Sequence, residues 1–309
     1  TRSAPPQVAA GMLLLSATGS ASPTWTILRA RPLAWPDASA FYTAATHGEV
    51  TPAQRFMLGR RSLNDMKERF RVQGRYEPPV CDRRLPSCLL LAREPGCGSI
   101  VGCAGVELAL VDVERQLVLR RSRSERLLRE TLPAPPAAAA AAAPGSFGRR
   151  FNRPPVGAEL EEELAALREQ EAVLDDPAAA RCSALLREEL AVAVAALPDT
   201  LRVTPLLSCV AVAPGHRRRG VARELCLALQ AEARAWGQGR QILAMVDEDN
   251  ADAAALLLAL GYTRSAFRDE GAVAVRPERP CDTYFDRREL EVLSVPMPQV
   301  GFERELSLS

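Results

Sequence analysis

The chain has 309 residues, of which 39 are basic and 38 acidic, for a formal net charge of +1. Only Lys67 among the basic residues is a lysine, so the balance is carried by arginine. Near-neutrality excludes a uniformly basic nucleic-acid or anionic-membrane binder, and no apolar run approaches the ~20 residues that cross a bilayer.

The length is compatible with two domains. Hydrophobic residues make up 47% of the chain but aromatics only 5%, which predicts a core of Leu, Val and Ala. The eight cysteines form no C-x-x-C pair, and His47 and His216 are the only histidines, so no metal site is expected. Scattered thiols in a chain of this length fit a reducing compartment better than a disulfide framework. Residues 1–36 lack any acidic side chain and carry Ser, Thr, Ala, Arg2, Arg29 and Arg31. That composition is that of an organellar transit segment or a disordered terminus over 1–22.

In chain order, the alternating stretch 24–30 predicts a strand. Asp37 predicts the N-cap of a helix through Ala40, Phe41 and Ala44, and a second helix is expected over 54–70. After turn signals at Pro78, Pro79 and Pro86, two strands are expected over 88–93 and 98–113, joined through Glu94-Pro95-Gly96.

The pattern then lapses over 113–203. This stretch holds the low-complexity tract Pro135-Pro136, seven alanines (137–143) and Pro144-Gly145. It also holds an acidic segment, 159–176, with eight acids against Arg168 and leucines 160, 164, 167 and 174 at helical spacing, and a further helix is expected over 178–197. A structureless connection of that length is implausible, so 113–203 reads as an insertion with its own helices. Regular patterning resumes with a strand over 206–212, a basic loop, a helix over 220–236, a strand over 241–246, a helix over 250–260 and a final strand over 290–295. The order predicts a mixed α/β fold, a central sheet flanked by helices. Its body spans 23–298, interrupted by the insertion, with 299–309 as a tail.

The stretch 206–222 carries the chemistry. A buried strand leads into a loop that opens a helix, and the orphan N–H groups and dipole of a helix N-terminus favour an anion. Arg217, Arg218 and Arg219 add guanidinium donors that can fork onto phosphate oxygens. The physical expectation is a pyrophosphate-containing ligand.

Val210-Ala-Val-Ala-Pro followed by Arg217-x-x-Gly220-x-Ala222 resembles the acetyl-coenzyme A motif of the GNAT superfamily of N-acetyltransferases, Gln/Arg-x-x-Gly-x-Gly/Ala. About 30 residues on, Asn250, Ala253, Leu256, Gly261 and Tyr262 resemble that family's second block. The resemblance implies acetyl-CoA as co-substrate and an acyltransferase activity on an amine. It places the pantetheine arm along Val210, Ala211 and Val212, and the pyrophosphate on the amides of Arg218, Arg219, Gly220, Val221 and Ala222. Asn250 would hydrogen-bond the pantetheine region, besides serving as a helix N-cap.

Where the family often carries a tyrosine beside the thiolate, this chain has Leu257, which leaves the proton donor open. Base candidates are few, because the strand 206–212 has no carboxylate. Glu107, an ionisable residue in an apolar strand, and Tyr262 are the candidate catalytic groups; a solvent-facing Glu107 and a core-packed Tyr262 are the alternatives. The acid-poor start and the blocks Arg-Arg-Arg-Gly and Val-Asp-Glu-Asp-Asn look similar to plastid acetyltransferases of plants and algae, which implies a chloroplast location and protein N-termini or lysines as acceptors. The alternatives are a small-molecule amine acceptor, or a non-catalytic acyl-CoA-binding or scaffold protein.

Overall fold

Thirteen consecutive residues from Ile100 to Asp112 form the longest strand, and its interior is buried on both faces, which is why it reads as a nearly unbroken apolar run. The computed structural model describes residues 25–47, 49–70, 85–131, 161, 164–165, 167–168, 190–237, 241–247, 250–270, 274–275, 294–295 and 299–305. The elements, in chain order, are β1 (Thr26–Arg29), α1 (Trp35–His47), α2 (Pro52–Phe70), β2 (Ser87–Arg93), β3 (Ile100–Asp112), β4 (Leu117–Val118) and α3 (Arg121–Thr131). They continue with β5 (Leu201–Val212), α4 (Val221–Ala235), β6 (Gln241–Asp247), α5 (Ala251–Ala259), β7 (Thr263–Ser265), β8 (Arg268–Asp269), β9 (Ala274–Val275), β10 (Ser294–Val295) and β11 (Gln299–Glu305).

The main sheet runs β1-β2-β3-β5-β6-β11-β7, with β4 beside β3 and β8 beside β4. Its contacts are antiparallel except for β5 with β6 and β4 with β8. It is therefore a mixed sheet flanked by helices, the fold class expected from the sequence. Alternate residues of β3 feed two cores. Ala104 and Val106 join Leu207, Val221, Leu225, Leu229 and Tyr262 beneath α4. Cys103 joins Trp35, Leu63, Met66 and Phe70 beneath α1 and α2. Glycine is needed twice along this strand. A Cβ on Gly102 would lie 2.7 Å from Val221 Cγ1, and one on Gly105 would lie 2.3 Å from Phe70 Cζ. The start of α4 and the end of α2 thus approach the same strand from opposite faces.

Several sequence expectations need correction. Helix α1 begins at Trp35, so Asp37 lies in its first turn, where it complements the helix dipole, rather than at the cap. Strand β5 begins at Leu201, inside the stretch read as insertion. The start of that stretch also belongs to the body, because β4 and α3 dock on β3: Leu119 N–H bonds Leu110 O at 2.8 Å, and Leu128 is buried with Leu108 and Leu110.

The largest correction concerns 299–309, expected as a tail. Residues 299–305 form β11, paired antiparallel with β6 on one edge and β7 on the other. Its charged residues hid it, because a strand hydrogen-bonded on both edges is held by its backbone rather than by an apolar pattern. Of the strand expected over 290–295, only 294–295 is described, as β10, paired with β9 in a separate two-stranded sheet. The expectations for 1–22, for the Pro/Ala tract and for most of the acidic segment lie outside the described residues.

Candidate functional site

The site begins where two parallel strands part. β5 and β6 pair only at Leu206↔Leu243 and Leu207↔Ala244. Beyond that point β5 remains bonded to β3 as far as Gly102↔Val212, and β6 remains bonded to β11 as far as Asp247↔Gln299. The edge of β5 facing β6 over 208–212 therefore has no strand partner among the described residues. Such an edge offers backbone donors and acceptors to an extended ligand. Val210 and Val212 pack partly against the α4 core, and Ala211 is buried on the α1/α2 side, so all three sequence-predicted positions line this slot.

A bulge sits at the head of the slot. The register passes from Cys103↔Ala211 to Gly105↔Ser208, so two residues of β5, Cys209 and Val210, stand opposite one of β3. Cys209 takes a left-handed φ of 54°, a conformation that side-chain-bearing residues rarely adopt. Burial pushes its thiol pKa up. Nothing in the sequence signals this bulge.

At the far end, β5 runs into a short 3₁₀ turn, Pro214–His216, and then the loop 217–220. Arg218 (φ 60°) and Gly220 (φ 91°) are both left-handed, and Gly220 caps α4 without a side-chain bond. The first helical bond is made by Glu224 N–H to Gly220 O, at 3.0 Å. The amides of Val221, Ala222 and Arg223 thus point out of the helix end beside the slot, the arrangement expected of an anion cradle.

The arginine side chains are placed differently from the sequence expectation. Arg217 donates to Val212 O (3.4 Å) and to Ala45 O at the C-terminal end of α1 (3.1 Å), tying the loop to that helix. Arg218 lies 3.5 Å from Asp252 in the first turn of α5, an ion pair that is exposed on both sides. Arg219 is exposed. The three arginines thus surround the outward-facing amides, Arg217 held to the protein, Arg218 in an exposed pair and Arg219 exposed. Asn250 caps α5, its side chain accepting from Ala253 N–H at 3.1 Å.

Leu257 and Tyr262 are both in the core beneath α4, 3% and 2% exposed, and the Tyr262 hydroxyl accepts from Gln230 Nε2 at 3.3 Å. Tyr262 is thus packed within that core. Glu107 is buried rather than solvent-facing, and its two oxygens are taken by Arg69 (2.7 Å) and Arg121 (2.9 Å). Both oxygens are thus already engaged by guanidinium groups, Arg121 buried and Arg69 partly exposed.

The carboxylate that sequence reasoning passed over is Asp65. It stands on α2 between Arg61 and Arg69 at i±4 spacing and is exposed. Desolvation by the neighbouring protein nonetheless raises its pKa, with Arg69 and then Arg61 opposing. His47, at the end of α1, is shifted the other way, first by burial and then by Arg61. Among the described residues no group of three His, Cys, Asp or Glu side chains could hold a metal ion.

Residues 148–262 match the model of the acetyltransferase (GNAT) family, a span covering the slot, the loop and α5. No curated protein matches the chain by sequence. Several solved structures resemble it loosely. A Salmonella typhimurium acetyltransferase, yncA, solved with its cofactor acetyl-CoA, is 14% identical, covering 92% of this chain and 95% of its own, with a TM-score of 0.36. A GNAT-family acetyltransferase from Staphylococcus aureus Mu50 is 8% identical over 92% and 99%, with a TM-score of 0.39. The ribosomal-protein-alanine N-acetyltransferase of Brucella melitensis is 13% identical over 91% and 99%, at 0.34.

Proposed function

We propose that this chain, matched over 148–262 by the GNAT family model, is an acetyl-CoA-dependent N-acetyltransferase whose acceptor is an amine of a protein or peptide. The observation that carries this reading is the adjacency of two features. The unpaired edge of β5 over 208–212 leads directly to the outward-facing amides at the start of α4. A slot that can pair with an amide-containing chain, ending on a cradle for anions, fits a pantetheine arm joined to a pyrophosphate.

With the ligand so laid, the thioester lies at the bulge around Ser208 and Cys209, and the acceptor approaches from the α1/α2 face. The amine nitrogen attacks the thioester carbonyl, a C–N bond forms and the C–S bond breaks. The amine proton passes to the Asp65 carboxylate, directly or through water, and the departing thiolate takes a proton from solvent. Asp65 fits that role better than Glu107, whose oxygens are occupied.

A protein acceptor is favoured by the likeness of the Arg217–Gly220 and Val246–Asn250 blocks to plastid protein acetyltransferases, and the acid-poor residues 1–36 favour the same compartment. The test is mass-spectrometric detection of acetyl transfer to peptides starting with Met or Ala and to lysine-containing peptides, beside a panel of polyamines, aminoglycosides and amino acids. Acetylation of a metabolite alone would replace the acceptor class. Coenzyme A binding with no turnover on either panel would make the protein a non-catalytic acyl-CoA binder.

A further inference from the structure

Helix α3 and, further along the chain, Leu167 are joined to the acceptor face, the first through an ionic clasp on a buried carboxylate and the second through a hydrophobic contact, and neither is used by the cofactor slot. Glu107, in the middle of β3, has a side chain only 5% exposed. One oxygen accepts from Arg69 of α2 and the other from Arg121, the first residue of α3, whose side chain is 8% exposed. Arg121 is itself fixed by a second bond, Nη2 to Leu85 O at 2.9 Å.

Helix α3 is anchored on either side of that clasp. Ser124, fully buried, accepts the Leu110 N–H at 3.3 Å and donates to Arg120 O at 3.1 Å. Arg120 N–H donates to Glu270 at 3.2 Å, and Arg123 forms an ion pair with the same carboxylate. On the α2 side, Arg69 is followed by Phe70, whose ring sits on Gly105, the residue paired with Ser208 at the bulge. Further along the insertion, Leu167 is 1% exposed and buried with Trp35, Leu63, Met66 and Phe70. Helix α3 and Leu167 therefore reach α2 separately, the one by charge through β3 and the other by direct packing.

We infer that α3 and Leu167 are a built-in support of the acceptor face, with Arg121 as a positioning residue that holds α2 over the β5 bulge through Glu107 and Arg69. The part concerning acceptor binding rests on the proposed acetyltransferase reading; the mechanical link does not. Without Arg121 the buried Glu107 carboxylate keeps one of two partners, and a half-paired buried charge draws in water or pulls on the partner that remains. That partner is Arg69, so the disturbance falls on the C-terminal turns of α2 and leaves the slot edge of β5 and the start of α4 in place.

The test uses the full chain and the variants R121M, R121K and L167S. Hydrogen exchange over 52–70 is expected to quicken about tenfold in R121M and L167S, with α4 unchanged. Coenzyme A affinity, measured by calorimetry, should stay within about twofold, while the acceptor KM rises at least about fivefold and kcat falls less. R121K, which can still pair with Glu107 but cannot also serve Leu85 O, should recover part of the loss. Unchanged exchange in α2, or acceptor KM and coenzyme A affinity weakening in equal proportion, would overturn the inference. Should R121M fail to fold, R69M reads the clasp from its other end, where faster exchange confined to 121–131 is expected and its absence refutes the link. A wild-type protein without turnover removes the proposed function, and the exchange measurement still decides whether α3 and Leu167 support α2.

Discussion

Replacing Gly105 by alanine should destabilise the protein through one identifiable collision. A Cβ at that position would stand 2.3 Å from Phe70 Cζ, 2.7 Å from Cε1 and 3.3 Å from Cε2. Ordinary carbon contacts lie near 3.5–4.0 Å, so the ring edge must withdraw by roughly 1 Å. Phe70 is 6% exposed and packed with Leu63, Met66, Leu89 and Leu91, which leaves it no empty space to enter. Overpacking of this kind costs about 1–3 kcal/mol. The colliding atoms are the far edge of the ring, which leucine lacks. In an F70L background the same G105A change should therefore lose its penalty, and the gain of replacing a strand glycine, roughly 0.5–1 kcal/mol, should emerge with opposite sign. Equilibrium urea denaturation of the four proteins gives the coupling energy. A G105A effect equal in both backgrounds would refute the argument that Phe70 sets the distance of α2 from the sheet.

Other outcomes follow from the site. G220A forces a side-chain-bearing residue into φ 91°, costing about 1–2 kcal/mol; calorimetry should also show weaker coenzyme A binding because the α4 amides are re-aimed. D65N removes the proposed proton acceptor, and kcat should fall about 10²-fold at constant coenzyme A affinity. The Asp65 pKa is raised in the fold, so ionising it costs stability once the pH rises above its ordinary 3.8, and D65N should raise the neutral-pH denaturation midpoint. His47 has the opposite dependence. Its folded pKa lies below the ordinary 6.5, so the unfolded chain takes up that proton first and stability declines as pH falls below about 6.5; H47Q should flatten that slope in pH-resolved melts. Mass-spectrometric mapping of alkylation should find Cys97, which is exposed, modified before Cys88 and Cys226, whose buried thiols are pushed up to about 12.

Local signals carried the slot and the cradle into the sequence. An apolar strand, a glycine at a left-handed position and an amphipathic helix are contiguous over 201–235, and their periodicities are readable without knowledge of the rest of the fold. Glu107 was different. Its ionisable character in an apolar strand marked it, yet its meaning depends on Arg69 and Arg121, brought in from two helices. Asp65 was silent because a carboxylate between arginines on a helix reads as a solvated surface ladder. The boundaries of the insertion were misplaced for a related reason. β4 is two residues long and α3 is rich in arginine, so their docking rests on Leu128, Ser124 and Arg121 rather than on any pattern.

The place of β11 imposes an order of assembly that inverts the order of synthesis. Strand β7 emerges from the ribosome first, yet among the described residues it pairs with the sheet only through β11, which follows it by more than thirty residues and lies between it and β6. Until 299–305 arrive, β6 has an open edge for most of its length, and the far wall of the ligand slot is a strand bonded to β5 at two positions. The half-built sheet is thus both incompetent to hold a ligand and a template for pairing with another chain. A nascent protein of this kind completes its slot and covers its open β6 edge in a single late event, and a frameshift that spares 206–222 but alters 299–305 would be expected to leave the slot incomplete and the edge exposed.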